Sequence, residues 1–391
     1  MKKYKKNMRR RRIISIAVAV LLVAALLGGL IAGIVRGVSA IRARVQARQE
    51  YAATVEAKLE KMSLEEKVGQ MILAYQPDED PIKTQKKYQF GGYVFFAKYF
   101  KNNTPEQVVA DMAELQKVSK FPMILSVDEE GGTINRISDY PQYRDEPFAS
   151  PQEVFYGGGW DGIIADTKEK AAFLKILGLN TNLAPVVDVP YDKKNYIYHR
   201  AFSTDPEEVS EYAERVTKEY NTAGVLCCLK HYPGYGDAGD THLTIIEDTR
   251  EQQVLDSRDA MPFQAGIAAG APMVMLSHNI VDAYDAKRPA SLSPAVHEVL
   301  RQSLGFEGVI VTDGLEMRAI TKFEADAAKA AVMAVQAGND LICTGTPIEQ
   351  YDAILAAVRK GTISEERIDE SVMRILQMKQ TLQADETDRQ K

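Results

Sequence analysis

Apolar residues follow two kinds of pattern along this chain. Over Pro206–Ala223, 257–269 and 324–337 they recur every three or four positions, which predicts amphipathic helices. Elsewhere they form short continuous runs, which predict strands buried on both faces. Eight such runs are the candidate strands, at residues 69–74, 92–97, 123–128, 181–189, 225–231, 273–279, 308–313 and 340–344.

This alternation predicts an α/β fold with a parallel sheet, because parallel strands are joined by crossover connections that are usually helical. Eight strands favour a closed (β/α)8 barrel of the TIM type over an open doubly wound sheet. No Gly-x-Gly-x-x-Gly follows the first run and no P-loop is present, which argues against a nucleotide-binding fold. Ser63-Leu64-Glu65-Glu66 is a capping-box sequence that opens a single catalytic domain, predicted at 63–380 and followed by a polar tail at 381–391.

The N-terminal region has the pattern of a membrane anchor. Residues 13–35 carry no charge, and as a helix they would span roughly 30 Å, enough to cross a bilayer core. Positive charge favours the cytoplasmic side, so we expect a basic stub at 1–12, a transmembrane helix at 13–35 and a helical stalk at 36–62. The competing interpretation is a cleaved signal peptide at Val38-Ser39-Ala40, although its apolar core normally spans about 7–15 residues. The positive side chains are Lys2, Lys3, Lys5, Lys6, Arg9, Arg10, Arg11 and Arg12.

Charge and cysteine content narrow the function classes. The net charge of −6 includes those eight basic side chains, so the remaining chain carries −14, which is unfavourable for nucleic-acid binding. The three cysteines, Cys227, Cys228 and Cys343, lie in apolar runs and are predicted to be buried small hydrophobic residues rather than disulfides or metal ligands.

Polar and charged residues follow most of the predicted strands at the point where each strand ends. In a barrel these ends meet at one face, where the active site lies. Five successive occurrences therefore predict a site built from several strand ends. The residues are Asp128-Glu129-Glu130-Gly131-Gly132 with Arg136; Asp188 with Asn195, His199 and Arg200; Lys230 and His231; Ser277-His278-Asn279; and Thr312-Asp313-Gly314.

The segment after the fifth strand, 230–242, is the most distinctive. Its sequence is Lys-His-Tyr-Pro-Gly-Tyr-Gly-Asp-Ala-Gly-Asp-Thr-His, and in it Asp240 lies two residues before His242. A carboxylate at that spacing can orient an imidazole and raise its basicity. The alternatives are a Gly- and Asp-rich surface turn, or a metal site made of His231, Asp240 and His242. No His-x-x-x-His or Glu-x-x-His pair is present, so neither metal nor cofactor is expected.

Other polar residues have structural explanations. His278 is also interpretable as a hydrogen-bonded residue of the barrel rim, and Asp188 as a cap with Arg200 as its salt-bridge partner. His199, in a loop, and His297, in a helix, need no ligand.

Together these segments resemble family 3 glycoside hydrolases, in particular the single-barrel β-N-acetylglucosaminidase branch. The likeness runs from about Met62 to about Met378, and Lys230-His231-Tyr232-Pro233-Gly234 is its most specific motif. The other matching motifs are residues 62–71, Ser126-Val127-Asp128-Glu129-Glu130-Gly131-Gly132, Ala184-Pro185-Val186-Val187-Asp188, Arg200-Ala201-Phe202, Pro289-Ala290-Ser291-Leu292-Ser293 and Val311-Thr312-Asp313-Gly314-Leu315-Glu316-Met317.

The resemblance implies roles for these residues. Asp313 would be the nucleophile that forms a covalent glycosyl-enzyme, His242 the general acid/base, and Asp240 the residue that orients it. The family's two-domain members take their acid/base from a following α/β domain, for which this chain is expected to have no room. The implied sugar-binding residues are Asp128, Arg136, Arg200, Lys230 and His231.

Two features depart from the family pattern. Gly234-Tyr235-Gly236 stands where the family has Gly-His-Gly, and the spacing from Lys230 to His242 is one residue shorter. Both bear on the closed geometry of the loop, whose glycines, including Gly239, are expected to let it close over substrate and open again.

The resemblance implies a retaining exo-β-N-acetylglucosaminidase outside a bacterial membrane, acting on peptidoglycan fragments or related glycans. The alternatives are a relative that acts on another β-sugar or uses phosphate in place of water, and a catalytically silent wall-binding module. An aldolase-like barrel would need Lys230 as its Schiff-base lysine, since no other lysine ends a predicted strand.

Overall fold

The structure is a computed structural model that describes Met8 and residues 53–77, 79–236 and 239–389. The predicted anchor at 13–35 lies outside these residues, as does most of the predicted stalk. Within the described ranges, no helix is both long enough and apolar enough to cross a membrane. The chain divides into two units, Met1–Lys58 and Leu59–Lys391, and the second contains every strand given below.

Eight parallel strands form one sheet in the order β10-β1-β2-β3-β4-β5-β7-β9. A parallel bridge between Val311 and Leu341 brings β9 against the start of β10, so the sheet is a nearly closed barrel, which confirms the predicted fold class. A separate two-stranded ladder pairs β6 with β8. The strands are β1 Ile72–Tyr75, β2 Gly92–Phe95, β3 Ile124–Val127, β4 Thr181–Asn182, β5 Leu226–Tyr232, β6 Glu247–Asp248, β7 Met273–Leu276, β8 Ile280–Val281, β9 Val309–Thr312 and β10 Ile342–Thr344.

Helices connect the barrel strands. Two short stretches among them are π-helical turns, Leu255–Asp259 and Val299–Ser303. The helices are α1 Leu64–Gln70, α2 Pro81–Tyr88, α3 Ala97–Asn102, α4 Pro105–Val118, α5 Pro151–Ile176, α6 Pro206–Ala223, α7 Gln252–Val254, α8 Ala260–Ala268, α9 Asp282–Asp285, α10 Pro294–Glu298, α11 Arg318–Phe323, α12 Ala327–Ala337, α13 Pro347–Arg359 and α14 Glu365–Arg389.

Local signals set several helix ends. Ser63 caps α1 through the predicted capping box, in which its hydroxyl accepts from the Glu66 N–H and the Glu66 carboxylate accepts from the Ser63 N–H. Helix α6 has the predicted bounds because Asp205 caps its first turn and Gly224 takes the left-handed conformation at its end.

The eight predicted strands are all present, but some of their boundaries were wrong. The run 69–74 spans the buried end of α1 as well as β1, so its first two residues are helical. The run 92–97 includes Ala97, which begins α3. A continuous apolar run does not show where a buried helix turn gives way to a strand, because both are apolar.

The predicted strand 181–189 pairs as a regular ladder over Thr181–Asn182 alone. The rest is buried but irregular, and it meets β5 through an isolated bridge between Val186 and Lys230 and nearby backbone hydrogen bonds. Pro185 has no N–H to give to a ladder. This stretch therefore ends the strand early and leaves Asp188 in a loop over the barrel end.

The barrel core is closely packed and apolar. Cys227, Cys228 and Cys343 are buried free thiols, which confirms the prediction from their apolar surroundings. Gly92 is required by packing, since a Cβ there would lie 2.3 Å from the Ile124 carbonyl oxygen. Adjacent strands β2 and β3 therefore approach closely at this position.

One ionisable group is buried in this packing without a counter-charge. Lys379 on α14 is 1% exposed, and its Nζ donates one hydrogen bond, of 2.7 Å, to Gln70 Oε1. Among the residues the structure describes, no carboxylate pairs with it. Burial lowers the pKa of Lys379 to about 7.

Lys379 is expected to make stability depend on pH. Because its pKa is lower in the folded chain, the unfolded chain binds the proton more tightly, and stability rises as pH increases from about 7 towards about 10.4. Lys379→Met should raise the free energy of unfolding at pH 7 by on the order of 2 kcal/mol, and by much less at pH 10. Urea denaturation at the two pH values measures this. The exposed Lys360→Met is the control, and an equal gain at both pH values would contradict the expectation.

Candidate active site

The carboxyl ends of the barrel strands surround a cavity of about 430 Å³. Of the eight predicted site residues, seven line it and the eighth, Asp240, hydrogen-bonds to one of them. His199 is exposed, while Asn195 accepts hydrogen bonds from the Tyr191 and Asp192 N–H groups and shapes its own loop. The seven residues are Asp128, Arg136, Arg200, Lys230, His231, His242 and Asp313.

A network of buried charges forms one wall of the cavity. Lys230 Nζ lies 2.7 Å from Asp128 Oδ1 and 2.6 Å from Glu130 Oε1. Arg200 donates two hydrogen bonds to Glu130, of 2.9 and 2.8 Å, in the forked geometry that suits a guanidinium and a carboxylate. These side chains come from the segments after β3, β4 and from β5 itself, so folding of the barrel is needed to bring them together.

Pairing keeps this network ionised. Burial alone would raise the pKa of Glu130, but Arg200 and Lys230 outweigh it and hold that pKa well below its ordinary value. Burial would likewise lower the pKa of Lys230, but Asp128 and Glu130 raise it. Lys230 is thus a paired cation, which argues against the aldolase-like alternative, since a Schiff-base lysine must be able to lose its proton.

Glu130 stood among the polar residues after the third predicted strand but was assigned no binding or catalytic role, although its carboxylate is central to the network. The signal was present in the sequence, because Asp128 and Glu130 are two positions apart and extended backbone directs alternate side chains to the same side. Glu129, between them, is directed elsewhere. It accepts hydrogen bonds from the N–H groups of Arg136, Ile137 and Ser138 and so fixes the loop that carries Arg136.

Arg136 faces the cavity with unused hydrogen-bonding capacity. Its Nε is buried and has no hydrogen-bonding partner among the described residues. A buried donor without a partner is costly unless a ligand or water satisfies it. Arg136 is therefore well placed to donate to a polar ligand.

His231 is held by Asp188. The Asp188 carboxylate lies 2.8 Å from His231 Nδ1 and accepts the His231 N–H at 3.1 Å, while Arg200 lies 3.3 Å from Nε2. Because a guanidinium can only donate, Nε2 accepts and Nδ1 carries the hydrogen. The interpretation of Asp188 and Arg200 as a salt bridge was wrong, since Arg200 pairs with Glu130. Among the described residues, no three metal-binding side chains are grouped to hold an ion.

Asp313 follows β9, is partly buried and lines the cavity. Gly314 donates its N–H to Asp313 Oδ1 at 2.8 Å. Burial would raise the pKa of Asp313, but nearby imidazoles, His278 first, and this N–H lower it below its ordinary value. The carboxylate is therefore ionised at neutral pH, as a nucleophile must be.

His278 is a buried structural residue beside Asp313. Its Nε2 donates to the Gly314 carbonyl oxygen at 3.0 Å, and its Nδ1 accepts from the Ser291 hydroxyl at 2.8 Å. Burial lowers its pKa, which keeps the ring neutral. The rim interpretation is confirmed. His297 is also buried, on α10, with its Nδ1 2.7 Å from the Ser293 carbonyl oxygen and away from the cavity.

Asp240 and His242 form the predicted pair. His242 Nδ1 lies 2.8 Å from Asp240 Oδ1, which also accepts the His242 N–H at 2.9 Å. This contact leaves Nε2 as the ring nitrogen available to a ligand in the cavity. His242 is more open than Asp313, since its side chain is 54% exposed, while that of Asp240 is 23% exposed.

Two loop glycines have packing roles that the sequence did not reveal. Gly234 and Gly236 have φ of 117° and 51°, in the left-handed region that glycine tolerates best. A Cβ on Gly234 would lie 2.7 Å from Asp259 Oδ1, and one on Gly236 would lie 2.1 Å from Arg250 Nη1. Arg250 also binds Asp248 and Asp259, so these glycines let an ion-pair network pack under the loop.

Another carboxyl group, that of Glu316, also lines the cavity, and in the sequence it was assigned no role beyond the 311–317 motif. Glu316 accepts the Gly345 N–H at 3.2 Å. Tyr196 lies on the opposite loop, where its hydroxyl accepts from Arg200 at 3.2 Å.

Breaking the charge network should destabilise the protein. Glu130→Gln leaves Lys230 and Arg200 buried with one fewer anion, and we expect the free energy of unfolding at pH 7 to fall by about 3 kcal/mol. Because the pKa of Glu130 is lowered in the folded state, its contribution exists above its ordinary pKa and is lost as pH falls through the folded value. The difference between variant and parent should therefore shrink in acid.

Denaturation curves at pH 7 and at about pH 3, below the ordinary pKa of a glutamate, measure both effects. Glu211→Gln is the matched control, because it breaks an exposed pair with Arg215 on α6 that is expected to be worth less than about 1 kcal/mol. A loss for Glu130→Gln no greater than that of the control would contradict the role of Glu130.

The glycosyl hydrolase family 3 N-terminal domain model matches residues 63–378. A beta-hexosaminidase of Methylococcus capsulatus is 33% identical over 276 residues, which are 70% of this chain and 81% of that protein. The structure of a family 3 β-N-acetylglucosaminidase from Paenibacillus sp. str. FPU-7 superposes with a TM-score of 0.77 at 33% identity, over 83% of this chain and 63% of that one.

The structure of beta-glucoside phosphorylase BglX is also similar, with a TM-score of 0.76 and 25% identity over 86% of this chain and 61% of that chain. This chain spans less than two thirds of either solved structure. The domain match covers the whole barrel and every residue that lines the cavity. The resemblance noted in the sequence is thus confirmed, and the chain belongs to glycoside hydrolase family 3.

Proposed function

We propose that the protein is a retaining exo-β-N-acetylglucosaminidase. The observation that carries this proposal is the joint presence, at one cavity, of an ionised, partly buried carboxylate, Asp313, and an imidazole oriented by a carboxylate, His242 with Asp240. Retaining hydrolysis requires such a nucleophile and a proton donor beside the leaving oxygen. The beta-hexosaminidase and the β-N-acetylglucosaminidase among the similar proteins support N-acetylglucosamine as the sugar.

In the first step, an Asp313 carboxylate oxygen attacks the anomeric carbon. The bond from that carbon to the leaving oxygen breaks, and His242 Nε2–H gives its proton to that oxygen. Asp240 stabilises the His242 ring while it is positively charged and holds it in one orientation. The product of this step is a glycosyl-Asp313 ester, with the leaving group released as an alcohol.

In the second step, neutral His242 takes a proton from water, and the resulting oxygen attacks the anomeric carbon. Asp313 leaves as a carboxylate, so two inversions give overall retention. A histidine can serve both steps near neutral pH because its ordinary pKa lies close to 7.

The buried charges would hold the sugar. Asp128 and Lys230 are suited to hydroxyl groups, since one accepts and the other donates. Arg136 would donate to a further oxygen, such as that of the acetamide, while His231 lines the cavity and Arg200 braces the wall through Glu130. Groups already fixed in place lose little entropy when substrate binds.

The expected location of the barrel, outside the membrane, suggests the natural substrate. The basic stub and the apolar segment 13–35 would anchor the chain with its barrel on the outer side of the membrane. A 36–62 stalk would bring the cavity within reach of cell-wall glycans, so we propose peptidoglycan fragments or other chains with terminal N-acetylglucosamine.

A phosphorolytic reaction is the second candidate. A neutral imidazole repels an incoming phosphate less than a carboxylate would, and the similar structure named beta-glucoside phosphorylase favours testing it. Phosphate would then replace water in the second step, and the product would be a sugar 1-phosphate.

Turnover of 4-nitrophenyl N-acetyl-β-D-glucosaminide by the full-length protein in detergent tests the main proposal. Asp313→Asn should lower kcat by about 10³-fold or more, because it removes the nucleophile. His242→Ala should also lower kcat, and added azide should restore part of it as a β-glycosyl azide. Adding phosphate to the parent separates phosphorolysis from hydrolysis.

Several outcomes would contradict the proposal. Release that survives Asp313→Asn would exclude Asp313 as nucleophile. Absence of release with and without phosphate, alongside turnover of a β-glucoside, would point to another sugar. Full sugar binding with no turnover of any glycoside would favour the silent wall-binding module.

Membrane attachment is tested by cell fractionation. We expect the full-length chain in the membrane fraction after a carbonate wash and a chain lacking residues 1–52 in the soluble fraction, since an apolar helix is held far more firmly than a peripheral contact. Protease added to intact spheroplasts should digest the barrel. If expression of the full-length chain instead gives a soluble protein of reduced mass, this would support the cleaved signal peptide.

A further inference from the structure

Tyr235 and Thr241 form a buried hydrogen bond inside the loop that carries His242. The Tyr235 hydroxyl lies 2.6 Å from Thr241 Oγ1. Both residues are buried, at 1% and 0% exposure, although Thr241 stands between the more open Asp240 and His242. A single threonine thus ties an otherwise accessible segment to the barrel.

The Tyr235 end of this contact is firmly held. Its N–H donates to Asp188 Oδ1 at 2.8 Å, and its ring packs edge-on against His231 and Tyr196, with centroids 5.1 and 5.7 Å away. Val186 and Ile197 complete a small apolar cluster around the ring. The hydroxyl is therefore presented to Thr241 from a fixed position.

Thr241 makes a second contact, with the segment that follows the nucleophile. Its carbonyl oxygen accepts the Ala319 N–H at 3.1 Å, at the start of α11. Thr241 is consequently bound from two sides, by its side chain to the end of β5 and by its backbone to the chain after Asp313. The two halves of the catalytic machinery meet at this residue.

Few other contacts restrain the loop near His242. The Leu243 N–H donates to the Asp240 carbonyl oxygen, which shapes a local turn, and Lys322 donates to Thr244 Oγ1 at 3.0 Å on the surface. The far end of the loop is fixed by the β6–β8 ladder, beginning at Glu247. Neither restraint determines how deeply the turn sits over the cavity.

We propose that Tyr235 is a positioning residue that holds His242 over the cavity through its hydrogen bond to Thr241. The proposal rests on the proposed function, because it assigns His242 as the proton donor. It also gives a function to the tyrosine between Gly234 and Gly236. Tyr235 is not among the residues that line the cavity, so we expect it to act on His242 through Thr241.

Variants that remove one hydroxyl group test whether the hydrogen bond between Tyr235 and Thr241 positions His242. Tyr235→Phe and Thr241→Val each remove one hydroxyl and keep the shape of the side chain, whereas Thr241→Ser keeps the hydroxyl and should rescue activity. Tyr232→Phe is the matched control, because the Tyr232 hydroxyl is buried at the end of β5, three residues before Tyr235, and has no hydrogen-bonding partner among the described residues.

The kinetic readout compares two substrates by kcat/KM. Chitobiose needs proton donation to its leaving oxygen, whereas the 2,4-dinitrophenyl glycoside leaves without it. Tyr235→Phe should lower kcat/KM for chitobiose by about tenfold, as expected for a less precisely held proton donor. Its kcat/KM for the 2,4-dinitrophenyl glycoside should stay within about twofold of the parent value. In a His242→Ala background it should have no further effect, since the two residues act as one unit.

Hydrogen–deuterium exchange gives a structural readout that does not depend on enzymatic activity. Hydrogen–deuterium exchange of a peptide covering 239–246 should be faster in Tyr235→Phe and in Thr241→Val than in the parent, and unchanged in Tyr232→Phe. Unchanged exchange would overturn the proposal whatever the kinetics. Equal losses on both substrates, or additive losses with His242→Ala, would also overturn it in favour of a general structural role.

These outcomes separate the two proposals. Faster loop exchange in a protein that turns over neither substrate would support the Tyr235 contact and sink the glucosaminidase function. Normal turnover by the parent with unchanged loop exchange in both hydroxyl variants would sink the Tyr235 proposal and leave the function intact.

Discussion

The pairing of buried charges around Glu130 is the interaction on which the active site depends. A carboxylate is stable out of water only when cations compensate it, and here Lys230 and Arg200 both do so. The three side chains come from different strand ends, so they meet only when the barrel has closed. The fold and the substrate-binding wall are therefore stabilised by the same contacts, and the wall is rigid before substrate arrives.

The proposed catalytic machinery divides into a fixed half and a more open half. Asp313 is partly buried at a strand end, with its backbone held by β7 and its neighbour Gly314 held by His278. His242 lies on a loop, 54% exposed, and owes its position to contacts made by Thr241. This arrangement suits a nucleophile that must remain ionised and a proton donor that must reach solvent water in the second step.

The sequence predicted most of the architecture because the relevant signals are local. Buried strands read as apolar runs, and caps such as Ser63 act within one helical turn. Errors arose where local signals coincide, as at residues 69–70, where a buried helix turn is as apolar as a strand. Glu130 was missed for a different reason. Its sequence neighbours are polar, and only the positions of Lys230 and Arg200, 100 and 70 residues away, give it a role.

The sequence by itself determined the eight-strand barrel, the family and the set of polar residues at the strand ends, because helix and strand periodicity and short motifs are properties of neighbouring residues. The tertiary structure decided the pairing among them. Asp188 binds His231 rather than Arg200, and Glu130 binds both Lys230 and Arg200. Such choices depend on distances of about 3 Å between segments far apart in the chain, and those distances exist only after the barrel closes.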